Sequence, residues 1–332
     1  MQRVDNALWI GFAGFFLSLL VYFSLRDSGD DIARVFLTAA VLLLPLLLLI
    51  WRDDAAQLGA MLGEVPKTLN ILLAAAAGLA IWPGAWWLME LANEQLAGEM
   101  GPYLPGFLRL DDWTLEVVYK GAILPLMLGF LVFGAVRDGL VMLARPVRMV
   151  FMGLFVAVLH VVVAPQGLVG LVGYGLVGAL GAYFSVRLGS WLGGVLPLFA
   201  FTFANLAFLD DLRDWVLASN RGYFDTEWLT LVLLGTFGAF VCVQIVRFRT
   251  APDDPPPARG RPSGRISGLG WAALALLGLG LLFYAASEID QRNEARDQLQ
   301  GVAALGRVVA PVLVLDVRAD FAHDRIGGRD AV

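Results

Sequence analysis

The chain reads as an all-α, polytopic integral membrane bundle of about nine transmembrane helices, eight in one body and one after a linker. Composition is the first reason. Of 332 residues, 58% are hydrophobic and only 16% charged, with a mean hydropathy of +0.72; soluble domains carry about 25% charged residues. The second reason is pattern. The apolar excess is gathered into runs of about 18–23 residues, long enough to cross a bilayer at about 1.5 Å per residue. A β-barrel would instead alternate apolar and polar positions over about 10 residues.

The first run, 7–25, ends in "RDSGDD" without a small-x-small cleavage pattern, so it reads as a retained span rather than a removable signal. Runs 33–51 and 69–91 follow, and then an acidic loop from Glu94 to Glu116 in which "GPYLPG" breaks any helix. The fourth run is 117–136. The fifth, sixth and seventh, 147–164, 167–186 and 191–209, are joined by loops of a few residues and must form a tight up-down-up unit. The eighth run, 228–246, completes a body spanning 1–249. Residues 250–268, "TAPDDPPPARGRPSGRISG", form a proline- and glycine-rich linker that cannot pack a core. Beyond it stand a ninth helix at 269–287, with its apolar run at 270–286, and a polar tail at 288–332. The tail's apolar stretch is interrupted by Arg307 and Pro311, so it is expected to lie at an interface or dock on a partner rather than cross.

Arginine and lysine fall mainly on one side of this topology: Arg52, Lys67, Arg137, Arg145, Arg148, Arg187 and the arginines of the linker. The bias predicts a cytoplasmic N-terminus and a periplasmic tail, and residue usage suggests a bacterial inner membrane. With a net charge of −5, no basic surface points to nucleic acid. Cys242 has no intrachain disulfide partner, and two histidines with one cysteine disfavour a His/Cys zinc site. No cofactor or metal is expected. The expected partners are the lipid bilayer and another membrane protein.

Ionisable and polar groups inside spans are the functional candidates. Lys120 lies about a turn inside the fourth span, and its stem can snorkel to the headgroups, a structural role. Arg137, Asp138 and Gln244 sit at span ends and read as interfacial. His160 and Asn205 both lie about 20 Å from the inner ends of their helices, so the two share a depth. A hydrogen bond to Asn205, or to a backbone carbonyl, would satisfy the imidazole; the chemical reading makes it a general base or proton relay. The glycine-rich sixth span offers Gly175 with Ala179, Gly178 with Ala182, and Gly181 with Ser185, spacings that let helices approach closely.

Four stretches carry a resemblance: "PLMLGFLVFGAV" ending at Val136, "VAVLH" ending at His160, "GYGLVGALGAYFSVRLGSW" ending at Trp191, and "FTFAN" ending at Asn205. Residues 122–205 resemble the core of the CAAX-protease and bacteriocin-processing family of intramembrane glutamic proteases. The resemblance puts Gly134 at the glycine of the first motif, Val156 at the phenylalanine and His160 at the histidine of the second, and Asn205 at the end of the third. It also puts Leu128 and Gly129 where the family has its two glutamates, Phe133 at the arginine, and Phe201 at the third motif's histidine. That chemistry needs a carboxylate to activate water and histidines to hold the oxyanion. Leucine and glycine accept no proton. The resemblance therefore implies a non-catalytic relative with no catalytic residues, a scaffold or binding protein for a membrane protein or lipid. The alternatives are a protease or lipid-processing enzyme using His160 and, less favoured, a transporter subunit, which would show paired intramembrane carboxylates and broken helices in symmetric positions.

Overall fold

The structure is a computed structural model describing residues 2–25, 31–52, 55–100, 118–163, 167–218, 226–250, 266–294 and 297. The loop at 101–117, most of the linker and the apolar stretch of the tail lie outside the described residues. Ten helices are present among the described residues: α1 Gln2–Leu25, α2 Asp31–Trp51, α3 Ala55–Leu62, α4 Thr68–Met100, α5 Tyr119–Met142, α6 Arg145–Val163, α7 Gly170–Leu188, α8 Trp191–Ala218, α9 Thr226–Arg249 and α10 Gly268–Glu294. Seven contain a segment long and apolar enough to cross a membrane, and the apolar segments of α2 and α8, Val35–Leu48 and Trp191–Leu206, are shorter. Each of the nine apolar runs coincides with a helix. The addition is α3, whose eight residues are too few to show as a span.

Burial sorts the helices by role. α5 is the central pillar, with 83% of its apolar window buried, whereas α9 and α10 show 11% and 22% and stand at the periphery. Large apolar side chains face outward all along the rim, among them Phe36, Leu234, Phe237, Leu282 and Phe283. An apolar belt of this extent is stable only where the solvent is itself apolar, and there helices pair most of their backbone groups internally. The fold is an all-α polytopic membrane bundle.

Inside, small residues mark the places where backbones cross. α6 meets α7 where Gly153 rests on the backbone of Ala179, and Gly178 abuts Val156. A Cβ on Gly78 of α4 would overlap the backbone of Pro197 in α8. Without a hydrophobic force between helices in lipid, such close van der Waals approach supplies much of their association. α5 is wound partly as a π-helix, over Tyr119–Ile123 and Phe130–Val136. The Phe133 carbonyl in the second π stretch accepts a hydrogen bond from Ser185 Oγ of α7 (3.4 Å).

The two ends of the bundle are held differently. One gathers the start of α1, the end of α5 and the end of α7. There Arg137 Nη2 donates to the carbonyls of Ala60 (3.3 Å) and Met61 (3.0 Å), satisfying the last turn of α3. Arg187 does the same for α9, donating to the Arg247 carbonyl (2.7 Å) and Thr250 Oγ1 (2.8 Å). Gly63 and Gly189 end α3 and α7 in the left-handed conformation (φ 67° and 63°) and pack against each other, and a side chain at Gly63 would overlap the Gly189 carbonyl. At this same end Asp5 of α1 accepts a hydrogen bond from the Ser267 amide just before α10 (3.2 Å).

α10 then runs alongside α1, with Gly280 beside Phe15, and closes the opposite end of the bundle. Tyr284 OH donates to the Val161 carbonyl in the last turn of α6 (3.0 Å), and Glu288 Oε2 accepts from the Leu168 amide ahead of α7 (2.8 Å). Arg292 binds Glu288 Oε1 through Nη2 (2.7 Å) and Nε (3.1 Å), so this carboxylate is both a cap and half of a buried ion pair.

Candidate functional site

His160 projects from α6 into the middle of the bundle and is 0% exposed. Its ring lies flat on Tyr174 of α7, with centroids 3.7 Å apart and planes 17° from parallel. Neither Nδ1 nor Nε2 meets full hydrogen-bond geometry with a described residue; the backbone of Val156, one turn back on α6, is the group that acts on the ring. The expected bond to Asn205 is not formed. Asn205 Oδ1 instead accepts from the indole Nε1 of Trp82 on α4 (3.4 Å). Depth along the helices matches, but α7 packs against both α6 and α8 and lies between them. Tyr174 occupies the intervening position, stacked on His160 and edge-on to Phe201 (5.4 Å, 77°).

Lys120 does not reach an open surface. It is 3% exposed, within the first π turn of α5. Leu128, Phe133 and Phe201 are each 0% exposed and belong, with Tyr174, to one continuous core. The Phe133 ring is wedged between Gly181 of α7 and Gly194 of α8, and Gly129 is covered by Val195. The residues singled out for chemistry thus lie in a tightly filled centre, and the described residues contain no group of three His, Cys, Asp or Glu able to hold a metal.

Open space lies elsewhere, on the flank of the bundle. A cavity of about 230 Å³ is enclosed by α1, α2, α3 and α5. Ile10, Ala13, Gly14 and Leu17 supply one wall at the i, i+3, i+4, i+7 spacing of a single helix face. Leu131 and Ala135 of α5 form the buried floor, with Met61 of α3 at its edge. On the other side stand Val41, Leu44, Pro45 and Leu48 of α2, with Leu44 and Leu48 39% and 47% exposed, so the rim opens sideways. Only Gln57 and Asp138 are polar. Both belong to the end at which Arg137 caps α3. Asp138 is half-buried, its charge faces the neighbouring Arg137, and it makes no hydrogen bond to a described residue.

Comparison with family models, with curated proteins and with solved structures finds no match. The cavity escaped the sequence reading because it is lined by small residues, Ala13 and Ala135, on helices whose mutual rotation no run length encodes. Asp138 carried a signal, a carboxylate two positions past a long apolar run, but that signal equally describes any interfacial residue.

Proposed function

We propose that the chain is a non-catalytic membrane scaffold, a protein that recognises a lipid or another membrane protein rather than transforming it. One observation supports this above the others: His160 is stacked on Tyr174 and fully enclosed, with no carboxylate in hydrogen-bond reach among the described residues. A general base must lie within hydrogen-bond reach of the proton it takes, and the filled centre offers no position for a substrate. In this reading the chain is a degenerate relative of the CAAX-type intramembrane proteases, its catalytic glutamates replaced by Leu128 and Gly129. The arginine-bearing end would face the cytoplasm of a bacterial inner membrane, following the distribution of positive charge.

A second reading, an enzyme using His160, is favoured by one fact: neither ring nitrogen meets full hydrogen-bond geometry with a described residue. Complementation of a deletion strain by His160→Leu with Asn205→Leu separates the two. The scaffold reading expects full function at normal protein level. Loss of function at normal level, with the purified variant as stable as the parent, would establish the enzyme reading instead.

A further inference from the structure

We infer that the flank cavity between α1, α2 and α5 is a lipid site, taking one acyl chain of an amine-headed glycerophospholipid. This rests on the binding reading and names its partner. Three observations carry it. The cavity's rim opens sideways through Ala13, Leu44 and Leu48, all exposed on a surface that faces hydrocarbon. Apolar cavities of about 150 Å³ stay dry and accept apolar ligands, and this one is larger at about 230 Å³. A bilayer offers acyl chain in excess at that depth.

The cavity is also graded in the sense that a lipid of the adjacent leaflet requires. Leu17, Val41 and Leu131 line its deep part, toward the middle of the spans; Gln57 and Asp138 close it at the end of the bundle. From Ile10 to Leu17 the wall rises about 10 Å, room for a stretch of chain directed to the midplane with its head at the interface. The head is selected by charge. The Arg137 guanidinium is turned to the carbonyls of Ala60 and Met61, whereas Asp138 keeps its carboxylate oxygens without a hydrogen bond to a described residue. A half-buried carboxylate at the interface, beside an Arg137 whose Nη2 is directed to the α3 carbonyls, keeps its oxygens available to a cationic donor. An ammonium head answers it; a head with only phosphate and hydroxyl groups does not answer the charge.

The test is native mass spectrometry of the full chain, released from nanodiscs holding equal phosphatidylethanolamine and phosphatidylglycerol. The expected result is one retained lipid per chain, enriched at least about fivefold in phosphatidylethanolamine. Asp138→Asn should keep a lipid but lose the enrichment, and Ala13→Phe, at an exposed wall position, should lose the lipid. A photoactivatable acyl-chain probe should label peptides of α1 and α2 that line the cavity, and Ala13→Phe should abolish that labelling. Absence of a retained lipid, unchanged headgroup preference in Asp138→Asn, or labelling unaffected by Ala13→Phe would each overturn the site. None of these outcomes bears on His160, so failure here and failure of the scaffold reading are told apart by the complementation experiment.

Discussion

His160 and Asp138 are two polar side chains in one apolar bundle, and neither makes a hydrogen bond to a described residue. Their surroundings are opposite. His160 is pressed between helices whose glycines bring backbones into contact, and a neighbouring ring covers its face. Asp138 stands where small residues on separate helices fail to fill the space between them. Alanine and glycine thus produce both a sealed centre and an open flank. Where small residues oppose a ring, as Gly181 and Gly194 oppose Phe133, the ring fills the gap. Where Ala13 of α1 and Ala135 of α5 line the same space, with no aromatic ring to fill it, a cavity remains. A polar residue becomes useful for binding only in the second setting, because a ligand must be able to arrive.

The seal on the centre depends on α10, which comes from beyond the linker to close the far ends of α6 and α7. Removing its anchor is the largest perturbation expected. Glu288→Ala would leave Arg292, 1% exposed, without its carboxylate, and would strip the cap from the Leu168 amide. Breaking a buried pair on one side costs about 3–5 kcal/mol. Denaturant-induced unfolding in mixed micelles should show that loss, and Glu288→Ala with Arg292→Leu should recover part of it. If the single variant is as stable as the parent, α10 is not the closure described.

Next in size is an attempt to overfill the centre. At Gly194 the ring of Phe133 already occupies the room a Cβ would need. Gly194→Val should destabilise by about 1–3 kcal/mol, the usual range for overpacked cores. The matching insertion at the flank, Ala13→Leu, projects into open space and should stay within about 0.5 kcal/mol. Equal effects at the two positions would erase the distinction between centre and flank. The same micelle titration measures both.

How far the sequence disclosed these two regions follows from what a bilayer imposes. Spans such as 147–164 and 167–186 are legible because lipid demands long apolar runs with satisfied backbones. The close packing of α7 was legible too, since Ala179, paired with Gly175, and Gly178, paired with Ala182, do meet α6. Rotation about the helix axis was not. Run length gives depth, so His160 and Asn205 were placed at one level, but which residue comes between them depends on α7 and its Tyr174. The short α3 was missed for a related reason: eight residues cannot cross, and its role is to present Met61 and two carbonyls to α5. Arg137 reads as an interfacial charge because nothing local announces that its guanidinium ends another helix.

The smallest expected effect tests the centre most directly. A buried imidazole with at most a weak backbone contact to Val156 gains little from hydrogen bonding, while its desolvation is a cost that folding has already met. Leucine has comparable bulk and no polar atoms, so His160→Leu removes that cost and forfeits only the stacking on Tyr174, an interaction of about 0.5–1.5 kcal/mol between rings. The two contributions oppose each other, and the net change in unfolding free energy should be within about 1 kcal/mol of zero. A catalytic or relay histidine would give the same stability result, so the informative quantity is the pair of readings together: unchanged stability with unchanged complementation. A loss of several kcal/mol would mean that His160 is held by a partner, and that the centre is organised around the imidazole rather than merely packed against it.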